Sequence, residues 1–282
     1  MLNKDITIII NTFNSDEKIF SCLDTIEGTF KILVIENSNN SNFKKRIENE
    51  YSNVTCELTK DNLGYAKGNN LGLSKVTTKF ALVLNPDTLV QKDALQNFLK
   101  TATNKPDFTI IGPAIQEKVD QNKYTNVSDL IEVKNVKGFA MFLNISKFND
   151  IGFFDENFFL YLEEIDLCRR VIKKGKKIFI DSDIKILHEG AKSVDTTISF
   201  EVELTRNWHW MWSKFYFNKK HYGYLFALLL VSKKFFSAII KIILYSLVFN
   251  QYKKKIYVQR FSGLFNSIIG NKSWYRPKIE NN

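Results

Sequence analysis

Apolar residues in the first half of the chain come in short unbroken runs, each followed by an amphipathic stretch. Residues 6–10 are apolar but for one Thr, 31–35 read KILVI, 54–58 read VTCEL and 80–84 read FALVL. Runs of this length, rich in β-branched residues and with little alternation, predict strands buried on both faces. Between them the apolar spacing predicts helices over 16–26, 42–51, 65–74 and 94–101, and another strand begins at 109–111. The β-α-β-α order predicts an α/β fold with a doubly wound, mostly parallel sheet. Ligands of such sheets bind beyond the carboxyl ends of the strands. That rule singles out residues 12–14, 36–38, 61–64 and 85–88, all polar or turn-forming.

Beyond about residue 115 the pattern is less regular. Strands are predicted over 129–136 and 139–143, a helix over 157–174 closed by Gly175, and two short strands over 177–180 and 184–188. No repeat of solenoid period is present. From residue 200 the character changes. Trp208, Trp210, Trp212, Phe215, Tyr216, Phe217, Tyr222 and Tyr224 crowd one segment, and residues 224–249 are very apolar, with Lys233, Lys234 and Lys241 among them. Lys234 and Lys241 share a helical face with Ser237 and Ala238, a narrow polar stripe on a greasy helix, as in segments that lie in a membrane interface.

Composition sharpens this division. The chain has 282 residues, with 12 Gly, 4 Pro and 24 Phe, which excludes disordered and collagen-like classes. Three cysteines, Cys22, Cys56 and Cys168, are too few and too scattered for a disulfide framework or a thiolate zinc site, and suggest a reducing compartment. The opening MLNKDITIII lacks the pattern of a secretory signal. The net charge of +10 is unevenly distributed: residues 1–203 carry −3, and residues 204–282 carry +13, with Glu280 their one acid. Three readings of this basic region stand: a core helix with solvated lysines, a nucleic-acid surface, or a helix lying on anionic lipid, to which the lysines at 253–255 and Arg260 would contribute. The apolar content argues against nucleic acid, and the uncharged stretch is too short for a membrane span.

Four segments carry possible chemistry. In LNPDT (84–88) a buried strand ends in Asp87 behind a Pro turn. The segment is either only a turn or a carboxylate placed to hold a dication against a diphosphate. Glu163, Glu164 and Asp166 open a helix after an aromatic run. Acids there suit the macrodipole, and one beside aromatic walls is also a candidate general base. His188 is either a structural histidine or, if it faces Asp87, a second metal ligand. Gly64, Gly68 and Gly72 recur every four residues, which would let backbone approach a ligand closely. The spacing is not the dinucleotide-binding fingerprint, and no Walker A sequence is present.

Taken in order, IIINTFNS (8–15), VIENSNN (34–40), DNLGYAKGNNLG (61–72), LNPDT (84–88), VKGFAMFLNISKFNDIGFFDENFFLYLEEIDLCRR (136–170) and HEGAKS (188–193) resemble the family 2 glycosyltransferases of the GT-A fold. The nearest resemblance is to the bacterial rhamnosyltransferase-like branch. It implies a catalytic domain over about 1–203, with a donor half to about 115 and an acceptor and base half after it. A basic, aromatic-rich, helical membrane-associating region over 204–282 would follow. It implies an inverting transfer of a sugar from a nucleotide diphosphate donor to a hydroxyl of a lipid-linked or polysaccharide acceptor. Such an enzyme would need Mg²⁺ or Mn²⁺, act in the cytoplasm against anionic lipid of the inner leaflet, and bind no nucleic acid.

By the same resemblance, Thr12, Asn14, Glu36, Asn62, Gly64, Asn69, Asn85 and Asp87 would bind the donor. Asp87 and His188 would hold the metal. Glu164 would be the catalytic base, beside Glu163 and with Asp166 as the alternative. Glu36 and Glu164 stand where the family commonly has Asp, and each carries one methylene more. Another hexose or galactofuranose donor, or an inactive membrane-bound partner of a polysaccharide complex, are the alternatives.

Overall fold

The strand β1 (Ile6–Thr12) is central to the fold, and its residues Ile6, Ile8, Ile9 and Ile10 are fully buried. In a computed structural model of the chain, residues 3–114, 130–188 and 199–277 are described. The chain divides into two compact units, one of residues 1–155 and 164–195 and one of residues 156–163 and 196–282.

In the first unit β1 is followed by α1 (Asp16–Leu23), β2 (Lys31–Glu36), α2 (Ser41–Glu50), β3 (Val54–Leu58), α3 (Gly64–Ser74) and β4 (Phe80–Leu84). Next come β5 (Thr88–Val90), α4 (Ala94–Asn104), β6 (Phe108–Ala114), β7 (Leu130–Glu132), β8 (Ala140–Asn144), α5 (Glu163–Lys173) and β9 (Lys177–His188). The sheet order is β3-β2-β1-β4-β8-β6-β9-β5, with β7 also pairing β9. β3, β2, β1 and β4 run parallel, and the antiparallel β8 sits between β4 and β6. This is the mixed, mostly parallel α/β sheet expected. Phe80, Phe98 and Phe108 gather around the fully buried Phe142, with ring centroids 4.9–5.7 Å from it. Each such side chain contributes about 1.5–3 kcal/mol by burial.

Several expectations need correction. Gly68 and Gly72 of α3 approach the sheet rather than a ligand. A Cβ at Gly68 would lie 2.6 Å from the Asn11 amide, and one at Gly72 would lie 2.5 Å from Ile9 Cγ2. The two strands expected over 177–180 and 184–188 form one. The register of β9 against β6 slips from Asp181 to Lys185, where Asp181 Oδ1 accepts from Asp183 N at 2.9 Å. This bulge redirects the strand, so its end pairs antiparallel with β5. β5 itself escaped the sequence pattern. Of the strand expected over 129–136, only Leu130–Glu132 pairs, and Asp129 lies outside the described residues.

The helix expected from residue 157 begins only at Glu163. Tyr161 and Leu162 have φ of 72° and 69°, a left-handed pair that cannot continue a helix. Their aromatic neighbours are held in the second unit. The Phe158 ring stacks edge-on against Tyr216, Phe159 lies 4.4 Å from the His209 ring, and Ser213 Oγ donates to Leu160 O at 2.8 Å.

The second unit packs α6 (Ser199–Tyr222), α7 (Tyr224–Leu247) and α8 (Gln251–Ile268). Gly223, at φ 88°, separates α6 from α7, and the Asn250 side chain caps α8 through Lys253 N. α6 and α8 touch backbone to backbone: a Cβ at Gly263 would lie 2.1 Å from Trp208 O. Trp208 Nε1 donates to Ser262 Oγ at 3.2 Å and Trp212 Nε1 to Asn271 O at 3.0 Å, so two of the clustered tryptophans are interior. His209 is fully buried, between Tyr275 O at 2.8 Å and Ser273 Oγ at 3.0 Å, and burial pushes its pKa down to about 3.

Candidate active site

The turn after β4 is built from its own polar groups. Asn85 N donates to Phe139 O at 2.8 Å, and the buried Thr88 hydroxyl donates back to Asn85 O at 2.7 Å. This fixes Asp87 at the start of β5. The bulged β9 brings His188 opposite Thr88 in register, so His188 Nε2 comes to 3.3 Å from Asp87 Oδ1. The Asp87 side chain is 2% exposed and that of His188 31%. Asp87 Oδ1 is buried and accepts no hydrogen bond. The pair therefore opens to solvent on the imidazole side.

The His188 ring stacks flat on Phe139, with centroids 4.7 Å apart and an interplanar angle of 7°. The preceding residue, Gly138, lies against the base candidate. A Cβ there would be 3.4 Å from Glu164 Cβ and 3.4 Å from the Tyr65 hydroxyl, which donates to Gly138 O. One dipeptide, Gly138-Phe139, thus touches the Asp87–His188 pair on one side and the stem of Glu164 on the other. Phe139 and Tyr65 were not read as site residues from the sequence, and nothing in their spacing marks them.

Asp166 is differently placed. It is fully buried and accepts from Arg170 Nε at 2.8 Å. Arg170 also donates to Ile151 O at 2.8 Å, Gly152 O at 3.2 Å and Phe153 O. The pair fastens the chain at 151–153 to α5. Glu163 is buried and Glu164 half-buried at the helix start.

The ends of β1, β2 and β3 meet the start of α3 through an amide network. Asn11 Nδ2 donates to Gly64 O at 3.0 Å, and Asn37 Nδ2 donates to Asn11 Oδ1 and to Thr12 O at 3.1 Å. Asn37 Oδ1 accepts from Leu63 N at 3.0 Å and Thr59 Oγ1 at 3.3 Å. Asn11 was also missed, and Asn37 was singled out only within the strand-end positions 36–38; polar residues ending or following apolar strands were the available signal. Among the donor candidates, Glu36 is buried and its carboxylate accepts from Ser38 N and Asn40 N at 2.8 Å and Ser38 Oγ at 2.5 Å. Thr12 donates to Ile35 O at 3.4 Å, and Asn14, left-handed at φ 45°, donates its N–H to Ser38 Oγ at 2.8 Å. Asn62 Oδ1 accepts from Gly64 N at 3.0 Å, where Gly64 takes φ 74°. Asn69 donates to Tyr65 O at 3.0 Å, while its buried Oδ1 accepts no hydrogen bond.

Among the described residues, no group of three or more His, Cys, Asp or Glu side chains could hold a metal. Asp87 and His188 do suit a hard dication that takes its remaining ligands from water and phosphate oxygens. The buried Asp87 Oδ1, which accepts no hydrogen bond, is the observation in favour of that fit. The three cysteines are free and buried, and burial pushes the Cys22, Cys56 and Cys168 thiols up to about 12.

The profile of Glycosyl transferase family 2 matches residues 7–169. The chain belongs to this family, and its sheet is a GT-A fold. A curated protein of Haloferax volcanii, the low-salt glycan biosynthesis hexosyltransferase Agl10, is 27% identical over 198 residues, covering 62% of this chain and 64% of the relative. The chain thus spans less than two thirds of that relative's length. Similar solved structures include the mannosyltransferase PcManGT from Pyrobaculum calidifontis in complex with GDP-Man and Mn²⁺. It has a TM-score of 0.59 at 13% identity, covering 94% of this chain and 87% of that one. S. aureus TarS residues 1–349 matches with a TM-score of 0.53 at 13% identity, covering 96% and 93%.

Proposed function

We propose that this protein is an inverting hexosyltransferase of glycan synthesis. It moves a sugar from a nucleotide diphosphate donor to a hydroxyl of a lipid-linked glycan, at the cytoplasmic face of a cell membrane. The observation that carries the reading is the buried, hydrogen-bond-free Asp87 Oδ1 beside His188 at the carboxyl edge of the sheet. Asp87 and His188 hold Mg²⁺ or Mn²⁺, which when bound neutralises the charge developing on the leaving diphosphate. Asn14, Asn85 and the loops closed by Thr12, Glu36, Asn62 and Gly64, with Asn69 on α3, receive the nucleotide. The side chains of Glu36 and Asn62 serve by shaping those loops, since their oxygens accept bonds from neighbouring backbone N–H groups.

Glu164 takes the proton from the acceptor hydroxyl as its oxygen bonds to the anomeric carbon and the bond to the diphosphate breaks. Glu163 stands beside it at the helix start. A carboxylate in this role contributes about 10²–10⁴ in rate. Asp166 positions the helix, its carboxylate enclosed and paired with Arg170. A rhamnose-like donor is supported by sequence resemblance; the hexosyltransferase name of the Haloferax volcanii relative favours a second reading, a plain hexose.

A thermal-shift panel of nucleoside diphosphates and their sugars, with and without Mn²⁺, tests the proposal. One nucleotide should raise the melting temperature in the presence of Mn²⁺ only; a donor at one hundred times its Kd stabilises by about 2.7 kcal/mol. A flat panel would overturn it.

A further inference from the structure

Within the second unit, α7 turns Ala227, Leu228, Val231 and Phe235 inward, with Phe235 5.1 Å from the Phe261 ring of α8. Ala227 and Val231 join Met211, Phe215 and Leu264 in the core, Ala238 is buried, and Lys241 Nζ donates to Tyr257 OH at 3.0 Å. Of the narrow polar stripe expected over Lys234, Ser237, Ala238 and Lys241, Lys241 bonds to α8 and Ala238 is buried, while Lys234 is exposed.

The other side of α7 is apolar and bare. Leu225, Leu229, Phe236, Ile240, Ile243 and Leu247 are 56–76% exposed. At about 100° per residue all six project within roughly 30° of one direction, and at about 1.5 Å per residue they form a ridge about 33 Å long. The exposed Lys233 flanks that ridge. Exposed Lys219 and Lys220 with Tyr222 and Tyr224 stand at one end, and exposed Phe249, Tyr252, Lys253 and Lys255 at the other. An apolar ridge of this length marks an interaction surface.

We propose that this ridge is the surface by which the protein enters an anionic lipid leaflet, lying in its plane. The inference rests on the membrane-side reading above and names the element responsible. Charge selects the occupant. Residues 204–282 carry 14 Lys and Arg against Glu280 alone, so a second copy pressed on the ridge would set like charge against like. An anionic headgroup layer complements both cationic ends while the acyl boundary takes the ridge between them. Among the described residues no helix is long and apolar enough to cross a membrane, which fits insertion along the surface.

The test uses the full chain and vesicles of phosphatidylcholine alone or with about one third phosphatidylglycerol. Wild type should float with the anionic vesicles and stay behind with the neutral ones. The triple variant Leu229→Glu, Ile240→Glu, Leu247→Glu should lose at least tenfold in partitioning while keeping its helical circular dichroism. It should also keep the wild-type response to nucleotide and Mn²⁺, which separates failure here from failure of the proposed transfer activity. Should the triple variant misfold, Ile240→Trp supplies the second readout: quenching by brominated acyl chains supports the proposal, and no quenching refutes it. Wild type absent from anionic vesicles would overturn the proposal. So would flotation of the folded triple variant at the wild-type level, or a concentration-dependent dimer that the variant abolishes without any vesicle binding.

Discussion

Two carboxylates two residues apart on α5 are assigned opposite tasks, and their amides should separate them. Asp166→Asn removes the charge that holds Arg170, yet Arg170 keeps its three backbone carbonyls and has 20% of its side chain in solvent. The cost belongs at the lower end of the range for a broken buried pair, about 3 kcal/mol. Arg170→Met instead strands a carboxylate with no exposure, which belongs at the upper end, about 5 kcal/mol. At about 2–4 °C per kcal/mol, the melting temperature falls by about 6–12 °C for the first and about 10–20 °C for the second. Glu164→Gln, half-buried at the helix start, moves the melting temperature little but lowers transfer by about 10²–10⁴. Differential scanning fluorimetry alongside single-turnover transfer at low temperature reads both axes. Asp166→Asn that melts like wild type while abolishing turnover would refute the assignment and make Asp166 the base.

Three further outcomes follow from the same structure. Gly263→Ala should destabilise more than Gly72→Ala in urea unfolding. The new methyl meets fixed backbone at 2.1 Å in one case and a movable Ile9 methyl at 2.5 Å in the other, within the about 1–3 kcal/mol typical of overpacking or beyond it. His209 is held neutral with its pKa pushed down to about 3, so the unfolded chain binds its proton first as pH falls below 6.5. Stability should decline between pH 6.5 and 4.5 by up to about 1.4 kcal/mol per unit, and urea titrations of His209→Phe should lose that slope. In NMR spectra of the product, the new glycosidic bond should show the anomeric configuration opposite to the donor's; retention would remove the direct-displacement mechanism.

The parallel half of the sheet was legible because its strands are buried on both faces and declare themselves as apolar runs. The regions that resisted reading depend on distant partners. β5 is three residues long and exists because the bulged end of β9 returns to it. Residues 157–162 look helical by composition, but α6 captures their aromatic rings. Asp87, His188 and Glu164 could be named as candidates from local motifs. The Phe139 ring, which stacks on His188, and the Tyr65 hydroxyl, which borders Glu164, could not, since their roles arise from strand pairing and helix packing. The lysine stripe of α7 divides for a related reason: Lys241 bonds to Tyr257 of α8 while Lys234 is exposed. Periodicity identifies a face, but only packing decides which face is turned inward.

The central claim is that a carboxylate at the sheet edge grips a dication together with the donor's diphosphate. Electron paramagnetic resonance of Mn²⁺ titrated into the full chain, with and without a nucleoside diphosphate, tests it most directly. Wild type should bind the ion tightly only when the nucleotide is present, and Asp87→Asn should lose at least tenfold in that coupled affinity while remaining folded. Equal Mn²⁺ binding by wild type and Asp87→Asn in the presence of the nucleotide would contradict the account.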